Sequence, residues 1–194
     1  MEKKKIILAS QSPRRKFLLE QLGLNFDIKI PTFEENIEGE KFSRNLIESL
    51  AFQKAKSVSE NIQEEALIIA ADTVVVLGSK ILGKPKDEAD AENMLKQLSN
   101  REHKVITAVA IIDKYEEKTL INSTISKVKF RKITEREIKE YIKTGEPMDK
   151  AGAYGIQAYG SLFVEKIEGC YNNIVGLPLN LLGEMLKSFE VTLI

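Results

Sequence analysis

The sequence predicts a protein that mixes helices and strands around a mixed sheet, of the α/β or α+β class. Short apolar runs typical of buried strands are interspersed with stretches in which apolar residues recur at helical spacing. The two kinds of element do not alternate strictly, and Gly78-Ser79 between two strand-like runs is typical of a hairpin turn. A sheet with both parallel and antiparallel neighbours therefore follows.

The composition fits a globular protein and argues against several functions. The 194 residues suit one domain, assigned to 1–194, or one domain in two lobes. The 29 basic and 29 acidic residues balance, so no global positive field favours nucleic acid as a partner. One cysteine, Cys170, leaves no internal disulfide framework. Because neither a signal peptide nor a membrane-spanning run is visible, we expect a cytoplasmic protein without membrane contact.

The first predicted elements are a short strand and a helix. Residues 6–9 are apolar and suit a buried strand. Ser12 suits a helix N-cap, and Pro13 suits the first helical position, where the donor it lacks would be unpaired anyway. Gly23 suits the end of this helix, because glycine adopts the left-handed conformation needed there.

Two hydroxyls and two guanidinium groups meet at this strand-to-helix turn. They belong to Ser10, Ser12, Arg14 and Arg15. Helix N-termini carry free N–H groups and partial positive charge, which attract anions. The turn therefore predicts either a phosphate or carboxylate site or a plain capped helix with solvated arginines.

The next elements follow from alternation and helical spacing. Apolar and polar residues alternate at 26–30, which predicts a strand. The segment 31–40 is rich in acidic residues and predicts an irregular, solvated loop. Apolar residues at helical spacing predict a helix over 42–62. Lys54 lies on this helix and has either a functional role or the ordinary role of a solvated surface lysine. After the hairpin turn and its return strand at 80–82, Gly83-Lys84-Pro85 predicts a tight loop.

The second half of the chain continues in the same way. His103 stands at the entry to an apolar strand, and we expect a surface or strand-end role for it. A capping box at Thr134 opens one helix, and Gly145 closes it. Strands are predicted at 104–112, 120–130 and 162–167, helices at 88–98, 134–143 and 178–186, a glycine-rich segment at 146–160 and a loop at 169–176.

The run 66–77 is the most unusual strand, because Asp72 interrupts an otherwise apolar sequence. A buried carboxylate without a partner costs several kcal/mol, so it requires a cation, a metal or a proton. We therefore expect a partnered, functional Asp72. The structural alternative is a bend, in which Asp72 and Thr73 cap the backbone where two strands join.

Together these features indicate phosphate chemistry. The arginine pair, Lys54 and Lys84 suit a polyphosphate, and a carboxylate beside them suits a divalent metal or the activation of water. Metal-assisted hydrolysis of a phosphoanhydride is the reaction class that fits best. The sequence contains no Walker A pattern, which argues against a P-loop NTPase.

The order of these motifs resembles the Maf family over essentially the whole chain. The motifs are Leu-Ala-Ser-Gln-Ser-Pro-Arg-Arg, Ala-Ala-Asp-Thr-Val-Val, Gly-Lys-Pro, Asp-Lys-Ala-Gly-Ala-Tyr-Gly-Ile-Gln and Val-Gly-Leu-Pro. The resemblance implies a nucleoside triphosphate pyrophosphatase. It also implies an α/β fold in which a mixed twisted sheet with flanking helices forms two lobes around a substrate cleft, as in inosine triphosphate pyrophosphatases.

The resemblance also assigns roles to individual residues. Asp72 matches the proton acceptor, and Glu35 together with Asp72 matches the surroundings of a Mg²⁺ or Mn²⁺ ion. Lys54 and Lys84 match phosphate-contacting lysines. The residues that match the triphosphate-holding motif are Ser10, Ser12, Arg14 and Arg15.

Three further matches concern the choice of substrate. Arg14, Thr73 and Gln157 resemble the branch of the family that acts on dTTP and UTP. The alternatives within the enzyme class are the 7-methyl-GTP branch, which carries other residues at these positions, and removal of modified pyrimidine triphosphates. A nucleotide-sensing module without turnover is a further alternative. A cell-division (septum formation) regulator that acts by binding a partner is the alternative from another class. The resemblance also makes a homodimer plausible.

Overall fold

Seven strands and six helices make up the fold of the computed structural model, which describes residues 4–33 and 41–194. The strands are β1 (Ile6–Ala9), β2 (Asp27–Lys29), β3 (Leu67–Leu77), β4 (Lys80–Leu82), β5 (Glu102–Asp113), β6 (Lys118–Phe130) and β7 (Val164–Glu168). The helices are α1 (Pro13–Glu20), α2 (Arg44–Glu60), α3 (Glu88–Leu98), α4 (Glu135–Lys143), α5 (Tyr171–Val175) and α6 (Leu179–Lys187).

All seven strands belong to one mixed sheet. Its order is β2-β1-β3-β5-β6-β7, and β4 also pairs with β3. β1 runs parallel to β2 and β3, whereas the β3–β4, β3–β5, β5–β6 and β6–β7 pairs are antiparallel. The predicted mixed sheet with flanking helices is confirmed.

β3 organises the sheet and has an opening along one edge. β5 pairs with it from Leu67 to Val76 on one side. On the other side β1 pairs with 67–69 and β4 with 75–77, so 70–74 have no strand partner there among the described residues. The strand is continuous through Asp72, and the alternative of a bend at this position is therefore wrong.

Helices cover both faces of the sheet, and the alternation of side chains along β3 decides which neighbours each residue meets. Ile68, Ala70 and Val74 belong to the core beneath α2, whereas Leu67 and Ile69 face the core formed with α3, α4 and α6. Burial on both faces explains why β1 and β3 read as apolar runs. The alternation of side chains along β3 also places the consecutive residues 72 and 73 on opposite faces of the sheet.

The local signals in the sequence are confirmed at the helix ends. The Ser12 side chain accepts a hydrogen bond from the Arg15 backbone N–H, with Pro13 as the first residue of α1. Thr134 and Glu137 form the predicted capping box of α4. Gly145 follows this helix with φ +73°.

Three expectations need correction. Within 169–176, expected to be a loop, residues 171–175 form α5, which is too short to show helical periodicity. β7 begins at Val164 rather than 162, because 158–163 form a 3₁₀ turn. His103 does open a strand, but it is only 2 % exposed, beneath Tyr154 and Phe130.

None of the described helices is long and apolar enough to cross a membrane.

Candidate active site

A large cleft of about 1210 Å³ lies beside the open edge of β3. One side is formed by the end of β1 and the start of α1, and the other by β4, the loop after it and the segment 146–158. Seven described cationic residues line it: Arg14, Arg15, Lys54, Lys80, Lys84, Lys86 and Lys150. Four described carboxylates line it: Asp72, Asp90, Glu146 and Asp149. The excess of positive charge suits a polyanion.

Asp72 is the most buried charged group in this cleft, with an exposed fraction of 3 %. Its side chain lies on the α2 face of the sheet, and Lys54 of α2 donates a hydrogen bond to its Oδ1 atom. Oδ2 is buried and accepts no hydrogen bond from any described residue. The expected cationic partner is therefore present, and one carboxylate oxygen remains for chemistry.

The two serines shape the turn between β1 and α1. The Ser12 backbone N–H donates to Ser10 Oγ at 3.1 Å, and Ser10 is buried. Ser12 Oγ accepts from the Arg15 N–H at 3.5 Å as the cap of α1. These bonds point the start of α1 into the cleft, where its N–H groups favour an anion.

The two arginines leave this turn in different directions. Arg15 donates from Nε to the Gly176 carbonyl at 2.8 Å and from Nη2 to Thr73 Oγ1 at 3.0 Å. Arg14 reaches across the cleft to Asp149, with 3.3 Å between Nη1 and Oδ2. The first guanidinium is fixed by neutral acceptors, and the second bridges the two sides of the cleft.

Lys84 lies on the opposite side, in the tight loop predicted from Gly83 and Pro85. Its side chain is exposed and lines the cleft. Gly83 accepts a hydrogen bond from Gly152 at 2.9 Å, so this loop is attached to the glycine-rich segment.

Gln157 also lines the cleft, with an exposed side chain. Its segment is held by the Glu146 carboxylate, which accepts from the backbone N–H groups of Tyr159 and Gly160 at 3.1 Å each. The Tyr141 hydroxyl donates to the same carboxylate at 2.9 Å and accepts from Gly155 at 3.2 Å. Burial raises the pKa of Tyr141 and keeps this hydroxyl protonated.

Neighbouring cations keep the Asp149 carboxyl ionised. Partial burial raises the pKa of this carboxyl, but Lys150 and Arg14 outweigh that effect, and the pKa lies below its usual range. Asp149 therefore stays ionised across the neutral range and holds Arg14 by charge as well as by hydrogen bonding.

The structure brings together nine of the ten residues singled out from the sequence: Ser10, Ser12, Arg14, Arg15, Lys54, Asp72, Thr73, Lys84 and Gln157. Glu35 lies outside the described residues. Sequence reasoning missed Lys80, Lys86, Lys150 and Glu146. Their residue types are common at surfaces, and the only available signal was the proximity of the lysines to Gly83-Lys84-Pro85 and to the glycine-rich segment.

One oxygen atom among the described residues is suited to bind a divalent cation. Asp72 Oδ2 is a buried oxygen without a described partner in a cleft suited to phosphates. Mg²⁺ is commonly held by one or two carboxylates plus substrate phosphates rather than by an all-protein cage. Accordingly, 4–33 and 41–194 contain no cluster of three or more His, Cys, Asp or Glu side chains arranged for a metal.

The fold and the cleft define an α/β protein with a large, mainly cationic cleft beside one buried carboxylate. The chain belongs to the Maf family, since the model for "Maf-like protein" matches residues 5–189.

Two relatives agree with this assignment, and a solved structure agrees with the fold. A Clostridioides difficile (strain 630) protein named dTTP/UTP pyrophosphatase is 52 % identical over 184 residues, covering 95 % of this chain and 94 % of its own. A protein of the same name from Dictyoglomus turgidum is 51 % identical over 193 residues, covering 99 % and 100 %. The Staphylococcus aureus Ham1 protein structure has a TM-score of 0.55 at 14 % identity, covering 96 % and 100 %, and supports the fold alone.

Proposed function

We propose that this protein hydrolyses dTTP and UTP to the nucleoside monophosphate and pyrophosphate. The observation that carries the proposal is Asp72, buried at the open edge of β3, with Lys54 on one oxygen and no described partner on the other. The cations that line the same cleft suit a triphosphate. The substrates follow from the names of relatives about half identical to this chain.

The triphosphate would lie between the start of α1 and the loop that carries Lys84. Arg14, Arg15 and Lys84 supply positive charge from both sides of the cleft, and the N–H groups at the start of α1 add to it. Each charge-assisted hydrogen bond is worth about 1.5–3 kcal/mol. Contacts to the phosphates would therefore contribute strongly to affinity.

Asp72 would act on the attacking water. Its Oδ2 atom takes a proton from water as the water oxygen bonds to the α-phosphorus. The bond from that phosphorus to the α,β-bridging oxygen breaks, and pyrophosphate leaves. Lys54 takes one of the roughly four lone-pair sites of the carboxylate, which leaves sites for the proton and for a cation.

We also propose a divalent cation, Mg²⁺ or Mn²⁺, as the cofactor. Asp72 would hold it, together with Glu35 from outside the described residues. When bound, such an ion offsets phosphate charge and lowers the proton affinity of water.

Substrate choice would depend on Gln157, Thr73 and Arg14. The Gln157 amide offers both a donor and an acceptor, which matches the edge of a pyrimidine base. Thr73 acts indirectly, because its hydroxyl is bonded to Arg15.

A nucleotide panel in ¹⁸O-labelled water tests the proposal. The purified protein is incubated with Mg²⁺ or Mn²⁺ and, in turn, dTTP, UTP, dCTP, dATP and 7-methyl-GTP. We expect pyrophosphate from dTTP and UTP, with the label in the monophosphate. Orthophosphate would contradict attack at the α-phosphorus, and preferential turnover of 7-methyl-GTP would assign the other branch. A regulator that acts only by binding a partner would release no pyrophosphate from any of them.

A further inference from the structure

We propose that Thr107 and Asn173 are positioning residues that fix the orientation of the Arg15 guanidinium through a chain of buried hydrogen bonds. The inference rests on the proposed function in one respect only, namely that Arg15 binds substrate phosphates. Neither residue lines the cleft, so each acts through others.

The chain begins at Arg15 and runs into the core. Arg15 Nη2 lies 3.0 Å from Thr73 Oγ1, which lies 2.9 Å from Thr107 Oγ1. Thr107 Oγ1 lies 2.8 Å from the backbone carbonyl of Asn173. Thr73 and Thr107 are directly opposite each other on β3 and β5, so the sheet register sets the contact between their hydroxyls.

The direction of every bond in the chain follows from its two ends. A carbonyl oxygen only accepts, so the Thr107 hydroxyl must donate to Asn173. A hydroxyl has one proton, so Thr107 accepts from Thr73 at 2.9 Å, and the Gly176 carbonyl, 3.5 Å from Thr73 Oγ1, is the weaker acceptor for that proton. Thr73 then presents lone pairs to Arg15, whose guanidinium only donates. Hydrogen bonds in such a chain polarise one another, so each strengthens the next.

Asn173 anchors the far end. It is fully buried, and its side chain accepts from the Thr107 backbone N–H at 3.0 Å. Its amide donates to the Val105 carbonyl at 2.9 Å and to Ser126 Oγ at 2.8 Å. Three bonds thus fix the Asn173 side chain, on the short helix α5, against β5 and β6. The Asn173 backbone carbonyl, which accepts from the Thr107 hydroxyl, is held in place with it.

A second contact ties Arg15 to the same anchored segment. Gly176, three residues after Asn173, accepts from Arg15 Nε at 2.8 Å. A methyl group on Gly176 would lie 3.6 Å from both Arg15 Nε and Thr73 Oγ1, at ordinary van der Waals distance, so the three groups are neighbours. Two donors of one guanidinium are thereby held by Thr73 and by Gly176, which follows the helix that carries Asn173.

Binding of inorganic tripolyphosphate, measured by calorimetry, tests the proposal without requiring turnover. Thr107→Val keeps the shape of the side chain and removes the hydroxyl. It should weaken binding about three- to tenfold, the value of one net hydrogen bond. Thr107→Ser restores the hydroxyl and should bind within about twofold of the parent.

A matched control and a double variant separate positioning from general damage to the sheet. Thr124→Val removes a hydroxyl from the residue opposite Thr107 on β6, and should bind within about twofold of the parent. In an Arg15→Ala background, Thr107→Val should cause no further loss, because the group being positioned is gone. If Thr107→Val does not fold, Thr107→Cys takes its place, since a thiol is a weaker donor of similar size.

Parent-like binding by Thr107→Val would overturn the proposal. So would an equal loss in Thr107→Ser or Thr124→Val, or a full additional loss in the Arg15→Ala background. These outcomes are independent of the proposed hydrolysis. A protein that binds tripolyphosphate through this chain but releases no pyrophosphate from dTTP would refute the function and leave the positioning intact.

Discussion

Lys54 donates to one carboxylate oxygen of Asp72, and the other oxygen is buried without a partner among the described residues. The Lys54 side chain is 12 % exposed and that of Asp72 4 %. Since both groups are largely removed from water, their mutual attraction offsets the cost of their desolvation. The pair therefore has a structural role in addition to any role in catalysis.

Lys54→Met should destabilise the fold because it leaves the carboxylate charged and unpaired. We expect the free energy of unfolding to fall by about 2 kcal/mol, less than for a fully enclosed pair because the cleft admits water. Chemical denaturation at neutral pH measures this change. Lys56→Met, at an exposed site on the same helix whose ion-pair partner among the described residues is Glu60, should change stability by less than about 0.5 kcal/mol. Equal effects of the two variants would contradict a structural role for the pair.

Gly152→Ala should loosen the glycine-rich segment from the sheet. A Cβ at Gly152 would lie 2.9 Å from three side-chain carbons of Val75, and φ there is +67°. Gly145 has a similar φ of +73° but no atom of the described residues within 4 Å of the added carbon, so Gly145→Ala reports the backbone cost. We expect Gly152→Ala to lose about 1–3 kcal/mol more stability than Gly145→Ala in denaturation experiments. Equal losses would show that the contact with Val75 is unimportant.

Tyr141→Phe should affect recognition of the base more than binding of the phosphates. The variant leaves the Gly155 N–H without its acceptor and removes one of the three described donors to the Glu146 carboxylate. Because Gln157 lies in this segment, KM for dTTP should rise and discrimination between dTTP and dCTP should weaken. Tripolyphosphate affinity serves as the control and should stay within about twofold of the parent. A parallel loss in both measurements would place the defect in the whole cleft.

His103 should make stability depend on pH. Burial lowers its pKa to about 4, against 6.5 for the ordinary side chain, so the unfolded chain takes up a proton before the folded one does. The contribution of His103 to the free energy of unfolding is therefore fully present above pH 6.5. It is lost as the pH falls toward 4, by up to about 3 kcal/mol. Denaturation of the parent and of His103→Gln across this range checks the prediction, because the variant lacks the group. A difference between the two that does not change with pH would refute it.

The sequence predicted features that depend on neighbouring residues. The caps at Ser12 and Thr134 are set within one helical turn, and Asp72 was conspicuous because its neighbours along the chain are apolar. The burial of His103 was missed because it depends on Tyr154, 51 residues away.

Strand order was equally hidden, since β3 receives partners from three separate parts of the chain. The family resemblance supplied the two-lobed arrangement around a cleft that local patterns left open. The assignment of 1–194 to one domain, the homodimer and the cytoplasmic location stay predictions.

Pyrophosphate release by Asp72→Asn tests the proposed chemistry most directly. The substitution keeps the size of the side chain and leaves the cations of the cleft in place, so tripolyphosphate should bind at least as well as in the parent. The rate of pyrophosphate release from dTTP should fall by about 100-fold or more, as expected for loss of a general base. Release at the parent rate by a folded variant that still binds tripolyphosphate would contradict the role of Asp72.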